Sequence, residues 1–249
     1  MKYVCSDIHG CYERYNKLLD KINFTDEDTL YILGDVIDRN PEGIRILLDI
    51  MNRKNVVLLM GNHESFMYDF LMKSRNEYDE PWVDNGLRDI WFAPCNGGTV
   101  TYKAFLELDI DTQNEIYKYL GTLPYICLVN IGDKKYHLSH TGTIANVLDQ
   151  QIWYRKDLTS VGRERIVWYS PYRSDCWLSL DNYPSDYTCL IGHVPVQRIY
   201  YDETDYKAHI DDNVIDIDGG CAYYSEEGEG AKTALICYCL DTDEITYIR

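Results

Sequence analysis

Short apolar runs in this chain repeatedly end in polar clusters of aspartate, histidine and asparagine, and this repetition constrains the fold more than any other feature. Tyr3-Val4-Cys5 leads into Asp7 and His9, Leu30-Tyr31-Ile32-Leu33 into Asp35 and Asp38, and Val56-Val57-Leu58-Leu59-Met60 into Asn62 and His63. Two later runs repeat the arrangement: Lys135 to Leu138 precedes Ser139-His140, and Thr188 to Ile191 precedes Gly192-His193. Apolar runs of this length bounded by Gly-containing turns are buried strands. Between the first three, Tyr12, Tyr15, Leu18, Leu19 and Ile22, then Ile44, Leu47, Leu48 and Met51, recur at helical spacing. Amphipathic helices therefore join them into a βαβαβ start with a parallel sheet. In an open α/β sheet the carboxyl ends of parallel strands converge on one crevice, so residues remote in sequence meet there. A single Asp-x-His after a strand is ordinarily a capped turn. Recurrence at five strand ends points instead to a shared metal site, and of the six histidines only His137 and His209 fall elsewhere.

From Glu64 to about Leu123 the texture is helical, with Phe66, Phe70 and Leu71, then a loop through Trp91 and Asn96-Gly97-Gly98, then a helix near Thr112 to Leu120 before Pro124. This reads as a helical cap inserted at about 64–123 into one domain spanning 1–249. Strands return at Tyr125 to Asn130, Lys135 to Leu138, Thr188 to Ile191, Val214 to Ile217, Ala234 to Leu240 and Ile245 to Ile248. The last two flank Asp241-Thr242-Asp243-Glu244, a hairpin turn. Residues 143–187 carry no assignable pattern, and Ser225 to Gly230 reads as a polar, Gly-rich loop.

With 249 residues, 45% of them hydrophobic, the chain can bury its own core. Its 24 Lys and Arg face 41 Asp and Glu, a formal charge of −17. A surface that acidic repels nucleic acid, which is not expected as a partner. No apolar run approaches the roughly 20 residues a membrane helix needs, and the Met1 to Asp7 stretch turns charged before a signal-peptide core forms. No membrane association, a cytoplasmic location and a monomer are expected. The nine cysteines form no CxxC pair, and Cys5, Cys127, Cys189 and Cys237 sit within apolar runs, where a thiol acts as a small hydrophobe. The 23 tyrosines are read as half-buried packing residues.

Carboxylate, imidazole and amide oxygen together suit Mn²⁺, Fe²⁺ or Zn²⁺, and the absence of a thiolate cluster argues against a structural zinc site. The donors exceed what one catalytic ion needs with a position left open. Two ions about 3.5–4 Å apart would form a clamp for in-line phosphoryl displacement.

Asp7-Ile8-His9-Gly10, Gly34-Asp35-Val36-Ile37-Asp38-Arg39, Gly61-Asn62-His63-Glu64, His140 and Gly192-His193 resemble the signature motifs of the phosphoprotein phosphatase branch of the calcineurin-like metallophosphoesterases. Trp91 to Thr101 and Ile215-Asp216-Ile217-Asp218-Gly219-Gly220 resemble further stretches of that family, so the likeness covers nearly the whole chain and looks nearest to compact bacterial and phage members. The resemblance implies a layered αββα sandwich with mixed sheets and two divalent ions, manganese first, with iron or zinc as alternatives. It implies that Asp7 and His9 hold the first ion, that Asp35 bridges, and that Asn62, His140 and His193 hold the second. A hydroxide between the ions would be the nucleophile. His63, paired with Asp38, would be the general acid for the leaving group. Arg39 would grip phosphate oxygens, with Asn62 beside it and a second arginine opposite. Trp153-Tyr154-Arg155 and Trp168-Tyr169-Ser170-Pro171-Tyr172-Arg173 both offer that arginine, and Arg173 is chosen for its shorter spacing to His193. Ser6, Asn40 and Thr141 depart from the residues common in relatives without removing a ligand.

The activity so implied is hydrolysis of phosphomonoesters of the serine/threonine protein phosphatase type, with a phosphoprotein or small phosphoester as substrate. Hydrolysis of diadenosine tetraphosphate by a related branch is the alternative. Asp38 and Glu64 discriminate, because that branch often lacks the first acid and carries Asp at the second. A dead scaffold is the third reading, and the full set of ligands with His63 and Arg39 speaks against it.

Overall fold

The computed structural model describes residues 1–75, 86–144, 150–200, 206–223 and 232–249. The Ser225 to Gly230 loop lies outside the described residues. The chain opens with β1 (Lys2–Cys5), α1 (Tyr12–Lys21), β2 (Thr29–Ile32), α2 (Gly43–Asn52) and β3 (Val56–Leu58). Four helices follow: α3 (Asn62–Ser74), α4 (Leu87–Trp91), α5 (Gly98–Leu106) and α6 (Ile110–Leu120). Then come β4 (Pro124–Ile131), β5 (Lys134–Ser139), β6 (Ile152–Tyr154), α7 (Ser160–Trp168), β7 (Thr188–Ile191), α8 (Val196–Tyr200), β8 (His209–Asp211), β9 (Val214–Asp216), β10 (Leu235–Cys239) and β11 (Ile245–Ile248).

The strands form two mixed sheets, ordered β11-β10-β1-β2-β3 and β6-β4-β5-β7-β9-β8. β1, β2 and β3 pair in parallel, as their helical crossovers require, whereas β10 returns antiparallel beside β1. The period-2 alternation of the strands sets the layers. Leu30 and Ile32 of β2 turn to the core beneath α1 and α2, while Tyr31 and Leu33 turn to the other sheet. There they meet Tyr136 and Leu138 of β5, Leu190 of β7 and Ile236 of β10, which fill the space between the sheets. On the second sheet α7 packs against β4, and beside it Leu178 and Tyr183 pack on Cys189, Ile191 and Val214. The architecture is thus the layered αββα sandwich.

The structure corrects several element boundaries. The third strand ends at Leu58, because the Met60 amide leaves the first sheet and donates to the Pro124 carbonyl at the start of β4 (2.8 Å). Trp91 closes α4 instead of lying in a loop, and Gly98 opens α5. The unpatterned 143–187 stretch holds β6 and α7. The latter is capped by Thr159, whose hydroxyl accepts the Gly162 amide (3.1 Å). Helices α3 to α6 do not pack separately: Phe66, Trp91, Phe105 and Ile116 join the same hydrophobic cluster as Tyr15, Leu30 and Ile32.

Leu138 is fully buried between the sheets, whereas Ile210 on β8 is 61% exposed. Leu138→Ala is expected to cost about 2–5 kcal/mol in denaturant unfolding, the range for a buried leucine truncation, and Ile210→Ala under about 0.5 kcal/mol. Equal costs would show that the space between the sheets is not the packed core.

Candidate metal centre

Each expected site residue except Arg173, which comes after α7, follows a strand, and six of them turn the chain through the left-handed region: Asp7, His9, Asp35, Asp38, Arg39 and His193 have φ between 46° and 78°. Backbone of that kind persists only where surroundings hold it. Here Glu64 does much of the holding. Its buried carboxylate accepts the amides of Asp35 (2.7 Å), Val36 (2.9 Å), Ile37 (3.4 Å) and Gly61 (3.2 Å). The Asp35 carboxylate in turn accepts the His63 amide through Oδ1 (3.1 Å), tying the loop after β2 to the first turn of α3.

The other Asp35 oxygen, Oδ2, then points among imidazoles. It lies 3.6 Å from His9 Nε2, 3.5 Å from His140 Nε2 and 3.8 Å from His63 Nε2. Backbone carbonyls choose the tautomers of two of these rings. His9 Nδ1–H donates to Ile37 O and His140 Nδ1–H to Leu33 O, both at 2.9 Å, so each Nε2 presents a lone pair inward. His9 Nε2 is buried without a hydrogen-bond partner. His140 Nε2 faces Asn62 Oδ1 at 2.9 Å and His193 Nδ1 at 3.2 Å, and those two are 3.0 Å apart. Arg173 Nη1 donates to His193 Nε2 at 2.9 Å, so His193 Nδ1 carries the proton of its neutral ring and donates into this pair, while Asn62 Oδ1 and His140 Nε2 face each other as acceptors.

The titration tendencies agree. Burial, with the neighbouring Asp7 charge adding to it, pushes the Asp35 carboxyl well above its ordinary range, while burial pulls the His9, His140 and His193 imidazoles down. Neutral imidazoles around a buried carboxylate that lacks a countercharge are the donor set for divalent ions. Among the described residues two groups bring three such side chains together, His9–Asp35–His63 and Asp35–His140–His193, and they share Asp35. Asp7 stands at the edge of the first. Its Oδ1 is 3.9 Å from His9 Nε2, and its Oδ2 accepts the Ser6 hydroxyl and the His193 amide.

His63 differs from the other rings in what holds it. Its Nδ1 lies 2.7 Å from Asp38 Oδ2, and both side chains are buried. Asp38 Oδ2 also accepts Trp91 Nε1–H at 2.7 Å, and the Asp38 amide donates to Thr101 Oγ1 at 2.8 Å. The helical segment thus fixes the acid that fixes His63. Gly97 explains part of this closeness: at φ 73°, a Cβ there would lie 2.6 Å from the Arg39 amide nitrogen.

Arg39 itself leans over the Tyr223 ring at 5.2 Å, and its buried Nε has no hydrogen-bond partner. Arg173 reaches the His193 side of the centre, with Nη1 2.9 Å from His193 Nε2 while Asp175 braces its guanidinium. Arg155 sits apart, paired with Asp69 at 3.2 Å and over Tyr68 at 5.2 Å, in a cleft that Asn62 also lines.

Asp218 was missed as a site residue. It is buried, accepts the Gly220 amide at 2.8 Å, and its carboxyl is pushed well up by burial and next by Asp7. Its signal was the one already used, a carboxylate just past a strand end, here β9. His137, by contrast, bonds Thr143 and is a packed core histidine.

Residues 3–219 match the model of the calcineurin-like phosphoesterases, and the chain belongs to that family. It is 26% identical over 174 residues to a symmetrical bis(5'-nucleosyl)-tetraphosphatase of Buchnera aphidicola, a match covering 65% of this chain and 62% of that relative. It is 29% identical over 170 residues to serine/threonine-protein phosphatase 2 of Salmonella typhimurium, covering 66% and 69% respectively. A solved structure of a protein proposed to be a diadenosine tetraphosphatase superposes with a TM-score of 0.59 at 16% identity, over 99% of this chain and 92% of that one.

Glu64→Ala would leave buried amides without an acceptor, at an expected cost of about 2–5 kcal/mol in denaturant unfolding. Glu107→Ala, at an exposed position, should cost almost nothing. If the two variants unfolded alike, Glu64 would not be what holds the loop.

Proposed function

We propose that this protein is a dimetal phosphomonoester hydrolase acting on phosphoserine and phosphothreonine of proteins. The observation that carries this reading is the buried Asp38–His63 pair, with Trp91 and Thr101 holding the aspartate. A serine or threonine alkoxide is a poor leaving group and needs a proton as the P–O bond breaks. Asp38 occupies His63 Nδ1, so Nε2 is the atom aimed at the centre, and the carboxylate beside the ring offsets the charge of the proton to be donated. Arg39 and Arg173 would take the phosphate oxygens with their forked donors, and Asn62 would contact the phosphate beside Arg39.

Asp7, His9 and Asp35 would hold the first metal, and Asp35, Asn62, His140 and His193 the second. Divalent ions, manganese first, supply Lewis acidity and a water nucleophile at neutral pH when bound. His63 lies within reach of the first group as well, but its engagement by Asp38 suits a proton donor. The second reading is hydrolysis of dinucleoside tetraphosphates, the activity in the name of the Buchnera relative. A nucleotide phosphate leaves with less protonation, so a fully built acid pair favours the first reading.

Manganese reconstitution should load close to two equivalents, falling in Asp35→Asn, as read by elemental analysis. One equivalent in fully active protein would exclude a dinuclear centre. His63→Asn should keep its metal yet lose about 10²–10⁴ in turnover on a phosphoserine peptide, the scale of a lost general acid. The loss should shrink on p-nitrophenyl phosphate, whose phenolate needs no proton. Equal losses, or faster wild-type turnover of diadenosine tetraphosphate than of the peptide, would overturn this reading.

A further inference from the structure

Beside the metal centre a cleft of about 370 Å³ is lined by Asn62, Phe66, Arg155, Arg163 and Trp168 among others. A second cavity, of about 620 Å³, is lined by Tyr154, Arg155, Lys156 and Arg163, together with Gly121, Thr122 and Leu158, with no carboxylate among its lining residues. The two share Arg155 and Arg163, so one groove runs from Asn62 outward to Lys156. Acids outnumber bases 41 to 24 in this chain, which makes a groove walled by three cations unusual. Its inner part also carries Asp69, paired with Arg155, and Glu164; the charged side chains that line its outer part are Arg155, Lys156 and Arg163, while the Asp157 carboxylate next to them is turned to the Tyr154 amide. Tyr154 ends β6, the edge strand of the second sheet, and its amide donates to the Asp157 carboxylate at 3.0 Å, so a peptide would be held at this end by side-chain charge and not by strand pairing.

We propose that this groove binds acidic residues flanking the phosphorylated side chain of a peptide substrate. The inference rests on the phosphoprotein reading above and adds its sequence preference. Elsewhere the acidic surface repels such a peptide; along this groove Lys156 and Arg163 attract it, and the cleft leads its phosphorylated residue to Asn62. Arg163 is held for the task, since its Nη1 donates to the Leu158 carbonyl (3.1 Å) and Leu158 itself is buried.

The test uses the manganese-loaded full chain and two fluorescein-labelled peptides whose phosphoester oxygen is replaced by methylene, one with Asp and Glu flanks and one with Asn and Gln flanks. In anisotropy titrations the acidic peptide should bind about tenfold more tightly, the scale of one or two charge-assisted contacts at a wet surface. Lys156→Glu with Arg163→Gln should reduce that ratio to within about twofold while leaving turnover of p-nitrophenyl phosphate unchanged. Lys156→Glu alone, at an exposed position, should lose part of the ratio without risk to folding. Equal binding of both peptides by wild type, or equal weakening of both in the variants, would overturn the proposal. So would weaker binding of diadenosine tetraphosphate alone, which would assign the groove to a nucleotide. Wild type that prefers the acidic peptide yet hydrolyses no phosphoester with manganese would refute the proposed reaction and leave the groove standing.

Discussion

The Glu64 carboxylate accepts backbone amides from the loop after β2 and from the turn before α3, and the arrangement of the metal centre depends on it. The residues it gathers cannot relax into ordinary turns, because Asp35, Asp38 and Arg39 are all left-handed. A non-glycine residue in that region costs on the order of 1–2 kcal/mol, and buried hydrogen bonds from amides to a carboxylate can offset such costs. The result is directional. Asp35 turns one oxygen to the His63 amide and the other to the imidazoles, Asp38 turns to the His63 ring, and Arg39 turns to the rim. One glutamate in the first turn of a helix therefore holds the loop from which the Asp35 carboxylate, the Asp38–His63 pair and the Arg39 guanidinium are presented together.

The second organising fact is that so many acceptors meet in a buried place. Carboxylates of Asp7 and Asp35, the Asn62 amide oxygen and inward lone pairs of His9 and His140 crowd one buried place, where backbone amides, the Ser6 hydroxyl and the His193 ring satisfy only part of them. In a medium that solvates charge poorly, such a set favours cations. The −17 formal charge does not oppose an anionic substrate, because the local field is set by bound ions and by Arg39 and Arg173 at the rim. The helical segment contributes more than cover: Trp91 and Thr101 come from it and hold Asp38, so packing of that segment and the readiness of His63 are linked.

The chain is similar to relatives with different names because a fold fixes where a site can form and leaves the substrate unspecified. Specificity belongs to what surrounds the crevice. In this chain α3, the turn after β6 and α7 line the cleft beside Asn62, the last two with Arg155 and Arg163.

Much of the centre is legible along the chain. A strand ending in Asp, Asn or His is a local pattern, and parallel strands with helical crossovers must deliver their ends to one side, so Asp7, His9, Asp35, Asn62, His140 and His193 could be grouped from sequence alone. The periodicities of α1 and α2 and the hairpin of β10 and β11 are equally local. What the linear pattern leaves open depends on neighbours distant in sequence. Glu64 reads as an ordinary first-turn acid until four amides are seen around it; Trp91 and Thr101 become supports of Asp38 only once the helical segment is packed; Asp218 joins the site only because β9 lies beside β7. The choice between Arg155 and Arg173 was of the same kind, since both follow tryptophans, yet Arg173 folds back onto His193 and Arg155 onto Asp69. Strand ends and helix faces are properties of a few consecutive residues, which a sequence determines by itself. The partners of a buried carboxylate or a long guanidinium are decided by whichever segments the tertiary structure brings within about 3 Å, the reach of a hydrogen bond.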